Sequence, residues 1–274
     1  MSTIEKLVFE ALIKEVELTP KPGLVDKENN GAHVDMDIQT FYKSAHAIKP
    51  FALIFFEVGT QNKELKYLFE ELRRVGKLCE DAMFAATQGI NTHKGMVFSL
   101  AVILGAMGKL QTSPFSLTYQ NLQTMIKKIC KDLVQKDFGL LHHAMTHGEQ
   151  FYHDTKKSGI RGEAQNGYPT IFHQSLPFFL EKQQHYGDDI ALKMTLLFIM
   201  SQSEDSNLFA RGGLAGLTFV QHKSQQCLKN TKISDLDTAL RRLDQEFTAK
   251  NLSPGGSADL LCLTWLIARL EVVF

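Results

Sequence analysis

The stretch ISDLDTALRRLDQEF, residues 233–247, sets Ile233, Leu236, Leu240, Leu243 and Phe247 at alternating spacings of three and four. That spacing collects the apolar side chains on one stripe of a 3.6-residue helix, and Ser234 and Asp237 sit where a capping pair would start it. The same period runs outward in both directions. Ile4, Leu7, Val8, Ala11 and Leu12 mark a first helix that Pro20 and Pro22 stop. Further helices are expected near 39–58, 64–87, from His93 to about Gly108, near 117–133, in a His-rich stretch near 139–155, and near 171–184 and 188–202. The run after Arg211 is expected to be helical, and a last helix to start near Ser257. No stretch alternates with period two, and no repeat of 20–50 residues is visible. The expectation is an all-α fold, with residues 1–274 forming one domain whose working parts are the loops between helices.

Composition narrows the function. Hydrophobic residues make up 44% of the 274-residue chain and charged residues 22%, enough apolar matter for a sizeable core. Lys plus Arg equals Asp plus Glu, at 30 each, which argues against nucleic-acid or membrane-surface binding. Cys79, Cys130, Cys227 and Cys262 form no close pair and read as free thiols of a reducing compartment. The N-terminus carries Glu5, Lys6 and Glu10 where a signal peptide needs an apolar core. The apolar run Leu260–Ala268 is far shorter than the ~20 residues of a membrane span. The cytoplasm is therefore the expected location. Even charge and apolar helices permit a homodimer.

Residues that helix formation does not explain gather in five loop segments. They are TPKPGLVD (19–26) continuing to NGAHVDMD (30–37), GINTHKG (89–95), GIRGEA (159–164) with GYP (167–169), EDSN (204–207) with RGG (211–213), and LSPGGSAD (252–259). Their carboxylates suit magnesium, which takes one or two carboxylates and completes its shell with phosphate and water. Their Lys and Arg residues suit phosphate, and their glycines let backbone N–H groups approach an anion where a helix begins. Neither a Walker P-loop nor a Rossmann GxGxxG is present. Taken singly, each segment also reads as a turn, a helix cap or a linker. Their occurrence together on one helical chain is what points to a magnesium–polyphosphate site. His143 and His147 have the i, i+4 spacing of a zinc pair, but no HExxH accompanies them. With His142 and His153 they read as surface or packing histidines.

In order and wording these segments resemble the triphosphoribosyl-dephospho-CoA synthase family, which serves citrate lyase and has a relative serving malonate decarboxylase. The matching text is EVELTPKPGLVDKENNGAHVDMD (15–37), GINTHKGMVFSL (89–100), THGEQFY (146–152), GIRGEAQNGYP (159–169), EDSNLFARGG (204–213) and LSPGGSADLL (252–261). Ala210 and Ser206 stand where members often carry His and Thr. The resemblance implies a pentosyltransferase that moves the 5-triphosphoribosyl group of ATP to the 2′-hydroxyl of 3′-dephospho-CoA and releases adenine. It also implies magnesium, and a product handed to a second transferase that loads an acyl carrier protein.

Set against that reaction, Glu163 is the expected general base, with Asp35 and Asp259 as rivals, and His93 is expected to polarise the base or a phosphate. Asp26, Asp37, Asp205 and Asp259 are the expected metal-side carboxylates. Lys21, Lys94, Arg161 and Arg211 are expected to neutralise phosphate, and Asn91, Asn207, Gly212, Ser253, Gly255 and Gly256 to complete the substrate contacts. Two other readings fit the segments less well. One is a magnesium-dependent helical hydrolase, although paired DDxxD motifs are missing; the other is a non-catalytic nucleotide-binding helical protein.

Overall fold

A computed structural model describes residues 2–61, 64–139 and 146–273, and no strand occurs among them. The helices are α1 (Thr3–Glu17), α2 (Ile38–Thr60), α3 (Leu65–Ala86), α4 (Lys94–Gln111), α5 (Tyr119–Ile129), α6 (Leu133–Phe138), α7 (His147–Thr155) and α8 (Gly159–Gln165). After a π-helical turn, Ile171–Ser175, come α9 (Leu176–Met200), α10 (Ser206–Asn230), α11 (Leu236–Ala249) and α12 (Gly255–Val273). The all-α expectation holds.

The middle of the molecule is α4, whose sequence KGMVFSLAVILGAMGKLQ is apolar on every face and is buried almost throughout. A helix apolar all round must be enclosed, and α2, α3 and α5 enclose it. Small residues set the α2–α4 spacing. A Cβ built on Gly59 would lie 2.1 Å from the Gly105 carbonyl oxygen, and one on Gly108 would lie 2.0 Å from that of Phe56. The apolar run Leu260–Ala268 lies in α12, which packs on α1 and α9. There Thr264 hydrogen-bonds the Leu260 carbonyl and Ser175 rather than interrupting the helix. No helix among the described residues is long and apolar enough to cross a membrane.

Several boundaries differ from the sequence reading. Residues 158–169 are not all loop, because α8 forms within them. The stretch near 117–133 divides into α5 and α6, with Asp132 in the left-handed region at φ 60°. The His-rich stretch is α7 only from His147, and His142 and His143 lie outside the described residues. Ser234 and Asp237 do not cap α11. A 3₁₀ turn, Ile233–Asp235, precedes that helix, and Asp237 instead accepts a hydrogen bond from Lys193 at 2.9 Å. The break expected between 184 and 188 is a kink at Gly187, φ 77°, inside α9.

Gly59→Ala is expected to cost about 1–3 kcal/mol or more by overpacking against a backbone carbonyl that cannot yield. Gly76→Ala in α3, where a Cβ meets nothing within 4 Å, should instead gain up to about 1 kcal/mol of helix propensity. Urea unfolding of both variants checks the contrast.

Candidate active site

The loop segments meet around one cavity of about 1400 Å³. Pockets for a single small molecule usually run to roughly 300–1,000 Å³, so there is room for two nucleotide-sized ligands. The first residues of α4, α8, α10 and α12 all line it, so four helix N-termini, the ends that favour negative charge, border the space. A second depression, about 760 Å³ between α1 and α2, contains none of the loop segments.

The floor is set by Lys21. Its side chain is 2% exposed, and its ammonium bonds the buried Glu15 of α1 at 2.5 Å. Its backbone N–H donates to Asp26, whose other oxygen accepts from the N–H groups of Glu28 and Asn29. Asp26 is thus consumed in shaping the 19–30 loop and does not line the cavity. Gly23, at φ 72°, lets this loop touch the next: a Cβ there would lie 2.3 Å from the Leu252 carbonyl.

On the far side of that contact, Arg211 donates to the Ala32 carbonyl at 2.9 Å, to Asn251 Oδ1 at 2.6 Å and to His33 Nδ1 at 3.1 Å. A guanidinium can only donate, so His33 Nδ1 is bare and Nε2–H faces Ser253 Oγ at 2.8 Å. Burial, with the Arg211 charge, holds the His33 pKa below its usual value. Asp35 sits at the rim, 58% exposed and 3.6 Å from His33.

His93 stands at the start of α4, almost fully buried. Its Nδ1 lies 2.7 Å from Ser44 Oγ, which accepts a 2.7 Å bond from Thr92. Desolvation and, second, the Lys21 charge push its pKa down to about 3, so the ring is neutral. Asn91 accepts from the Lys94 N–H, and Lys94 reaches Glu80 at 3.7 Å. A Cβ on Gly95 would lie 2.6 Å from an Asp259 oxygen, so only glycine lets that carboxyl approach α4. Asp259 is partly buried and lines the cavity, with no hydrogen bond to its carboxyl among the described residues. Burial, followed by the charges of Glu15 and Asp205, holds its pKa well above the ordinary carboxylate range.

Asp205 differs. It caps α10 through the N–H groups of Asn207 and Leu208, and its second oxygen accepts from the N–H and hydroxyl of Ser257. Its acceptor sites are filled by the protein. Asp37 likewise caps α2 through Thr40, away from the cavity. Gly212 packs on Leu252, which a Cβ would meet at 2.5 Å, and does not line the cavity either. Gly255 and Gly256 do line it, packed against Asn207 and Asp205.

The fourth wall comes from α8. Glu163 accepts from the Thr170 hydroxyl at 2.6 Å and from its N–H at 3.2 Å, while burial raises its pKa. The reversal after α8 uses Gly167 (φ 73°) and Tyr168 (φ 51°) and runs into the π turn. Such turns recur at functional sites. Arg161 pairs with Asp137 at 2.7 Å and lies over the Phe138 ring, and Arg73 shares the same carboxylate.

The cavity therefore gathers Lys21, Asp35, Asn91, His93, Lys94, Arg161, Glu163, Asp205, Asn207, Arg211, Ser253, Gly255, Gly256 and Asp259, and leaves out Asp26, Asp37 and Gly212. Sequence reasoning passed over Glu15, Ser44, Arg73, Asp137 and Gln174. All but Gln174 lie inside ordinary amphipathic helices, where a polar residue carries no local signal. Gln174 lines the cavity from the π turn, its Oε1 buried without a partner. No cluster of three or more His, Cys, Asp or Glu side chains arranged to hold a metal occurs among the described residues.

Residues 1–274 match the model of the CitG family, described as ATP:dephospho-CoA triphosphoribosyl transferase. A probable 2-(5″-triphosphoribosyl)-3′-dephosphocoenzyme-A synthase of Photobacterium profundum is 42% identical, over 98% of this chain and 87% of its own. One of Vibrio cholerae serotype O1 is 42% identical, over 98% and 88%. The 2-(5″-triphosphoribosyl)-3′-dephosphocoenzyme-A synthase of Pectobacterium atrosepticum is 41% identical, over 96% and 88%. No solved structure matches.

Breaking the buried pair from either side is expected to be severe. Lys21→Met and Glu15→Gln should each cost about 3–5 kcal/mol, and the double variant much less than their sum, as read by urea unfolding.

Proposed function

Because this chain belongs to the ATP:dephospho-CoA triphosphoribosyl transferase family, we infer that it moves the triphosphoribosyl group of ATP onto 3′-dephospho-CoA and releases adenine. The observation that supports this chemistry best is a pair of unlike carboxyls in one two-ligand cavity. Among the described residues Asp259 has no protein hydrogen bond and burial raises its pKa strongly, whereas the burial that raises the Glu163 pKa is opposed by its two hydrogen bonds from Thr170. Two carboxyls whose surroundings push their proton affinities apart divide into an acid and a base.

In this reading Asp259 keeps its proton and gives it to adenine as the C1′–N9 bond of ATP breaks. Glu163 takes the proton of the acceptor 2′-hydroxyl as the new C1′–O2′ bond forms. One proton is delivered and one collected, so exchange through water resets the pair. The ribose carbon passes through oxocarbenium character between them, as in glycoside cleavage. Lys94, Arg161 and Arg211 face the phosphates.

Magnesium entering with ATP fits the lining, which among the described residues carries nine acidic side chains against seven basic ones. An anionic triphosphate needs a further positive charge there. Asp35 and Glu204, both well exposed and only loosely paired, are the carboxylates with oxygens to spare. When bound, the ion neutralises and orients the triphosphate. The product is the precursor that a second transferase loads onto an acyl carrier subunit, as in citrate lyase.

Incubation with ATP, magnesium and dephospho-CoA should release free adenine, read by chromatography; ADP or pyrophosphate without adenine would sink the reading. Glu163→Gln and Asp259→Asn should each lower kcat by at least about 10²-fold, the usual worth of an acid or base, with ATP binding kept. Since Asp259 acts protonated, kcat should fall as pH rises through its elevated pKa, and Asp259→Asn should lack that alkaline limb.

A further inference from the structure

Among the described residues that line the cavity, His93 and Gln174 each carry a buried polar atom without a partner. His93 Nε2 is shielded from water and forms no hydrogen bond among the described residues. Whether it is a donor or an acceptor depends on which nitrogen holds the ring proton, and the neighbouring hydroxyls decide that. Thr92 donates its hydroxyl proton to Ser44 Oγ at 2.7 Å. Ser44 is fully buried and has a single proton of its own. His93 Nδ1, 2.7 Å away, is the acceptor within reach, and an unbonded buried hydroxyl proton is costly. The ring proton is therefore on Nε2, and the ligand-free chain holds a buried N–H with nothing to receive it.

We propose that the Thr92–Ser44 hydroxyl pair holds His93 as its Nε2–H tautomer, so that His93 donates a hydrogen bond to N3 or N7 of the leaving adenine, the two ring nitrogens that flank the bond being broken. The surroundings favour a flat neutral acceptor over a phosphate. Phe41, which lines the cavity with it, meets the imidazole at a centroid distance of 5.1 Å with the ring planes near perpendicular, an aromatic neighbour suited to a flat heterocycle. Asp259 lies against Gly95, two residues after His93 at the same helix start. A base seated here meets a hydrogen-bond donor and a proton donor together. The neutral ring agrees with the lowered His93 pKa. Ser44 acts through His93, as a positioning residue.

The inference rests on the transferase reading only for the identity of the base, and its tests need no turnover. In ligand-free protein labelled with ¹⁵N-histidine, the His93 correlations should show a bare Nδ1 and a protonated Nε2, unchanged from pH 7 to about pH 5. Ser44→Ala should mix the tautomers. A protonated Nδ1 in the unaltered chain, or a charged ring at pH 6, would overturn the assignment; since the unaltered chain is the primary sample, poor folding of Ser44→Ala does not matter.

The contact itself is read by calorimetric Kd values for ATP, 7-deaza-ATP and 3-deaza-ATP, without dephospho-CoA. The unaltered chain should bind one of the two analogues about tenfold more weakly than ATP, the usual worth of one hydrogen bond. His93→Phe should bind that analogue and ATP alike. Equal binding of all three by the unaltered chain, or undiminished discrimination by His93→Phe, would exclude the contact. Intact discrimination in a protein that releases no adenine would overturn the transferase reading and leave this contact standing.

Discussion

The buried ion pair between Lys21 and Glu15 conditions the chemistry around it. An ammonium and a carboxylate removed from water are tolerable only because each has the other, and once there they act over several ångströms of poorly screened space. The Lys21 charge adds to burial in lowering the His93 pKa, and the Glu15 charge adds to burial in raising that of Asp259. One pair thus shifts two neighbouring groups in opposite directions, the imidazole toward losing a proton and the carboxyl toward keeping one. The pair also ties α1 to the turn that follows it, because the Lys21 backbone is bound to Asp26.

The rest of the site follows from how four helices begin. Short polar loops and close glycines bring the starts of α4, α8, α10 and α12 to one space. Their caps show a division of labour among chemically identical side chains. Asp205 spends both oxygens on donors at the starts of α10 and α12, and Asp37 spends one at the start of α2, while Asp259 spends none among the described residues. A carboxylate with every acceptor site filled is structural whatever its neighbours do; one left bare inside a cavity must take up a proton, a cation or a ligand.

Much of the fold was readable along the chain because helical periodicity is a local property. The three–four alternation located most helices, and the break in α9 was visible as a gap between two apolar patterns. Misplaced boundaries fell where a few residues weigh propensity against geometry, as in α8, the Asp132 junction between α5 and α6, and the 3₁₀ turn before α11. The loop segments were equally readable, since Gly, Pro and charged residues clustered between apolar runs have no packing explanation. Fourteen of the seventeen positions singled out line one cavity.

Composition, period and the wording of the loops therefore sufficed for the helical class, the family and most of the residues that line one cavity. Roles within that neighbourhood were decided by partners far away in the chain. Asp205 is filled by Ser257, Asp26 closes its own loop, Gly212 meets Leu252, and His93 Nδ1 is engaged by Ser44, 49 positions distant. A side chain's residue type states which hydrogen bonds and charges it is able to carry. How many remain for a ligand depends on burial and on donors delivered by other helices, and these exist only once the chain has folded.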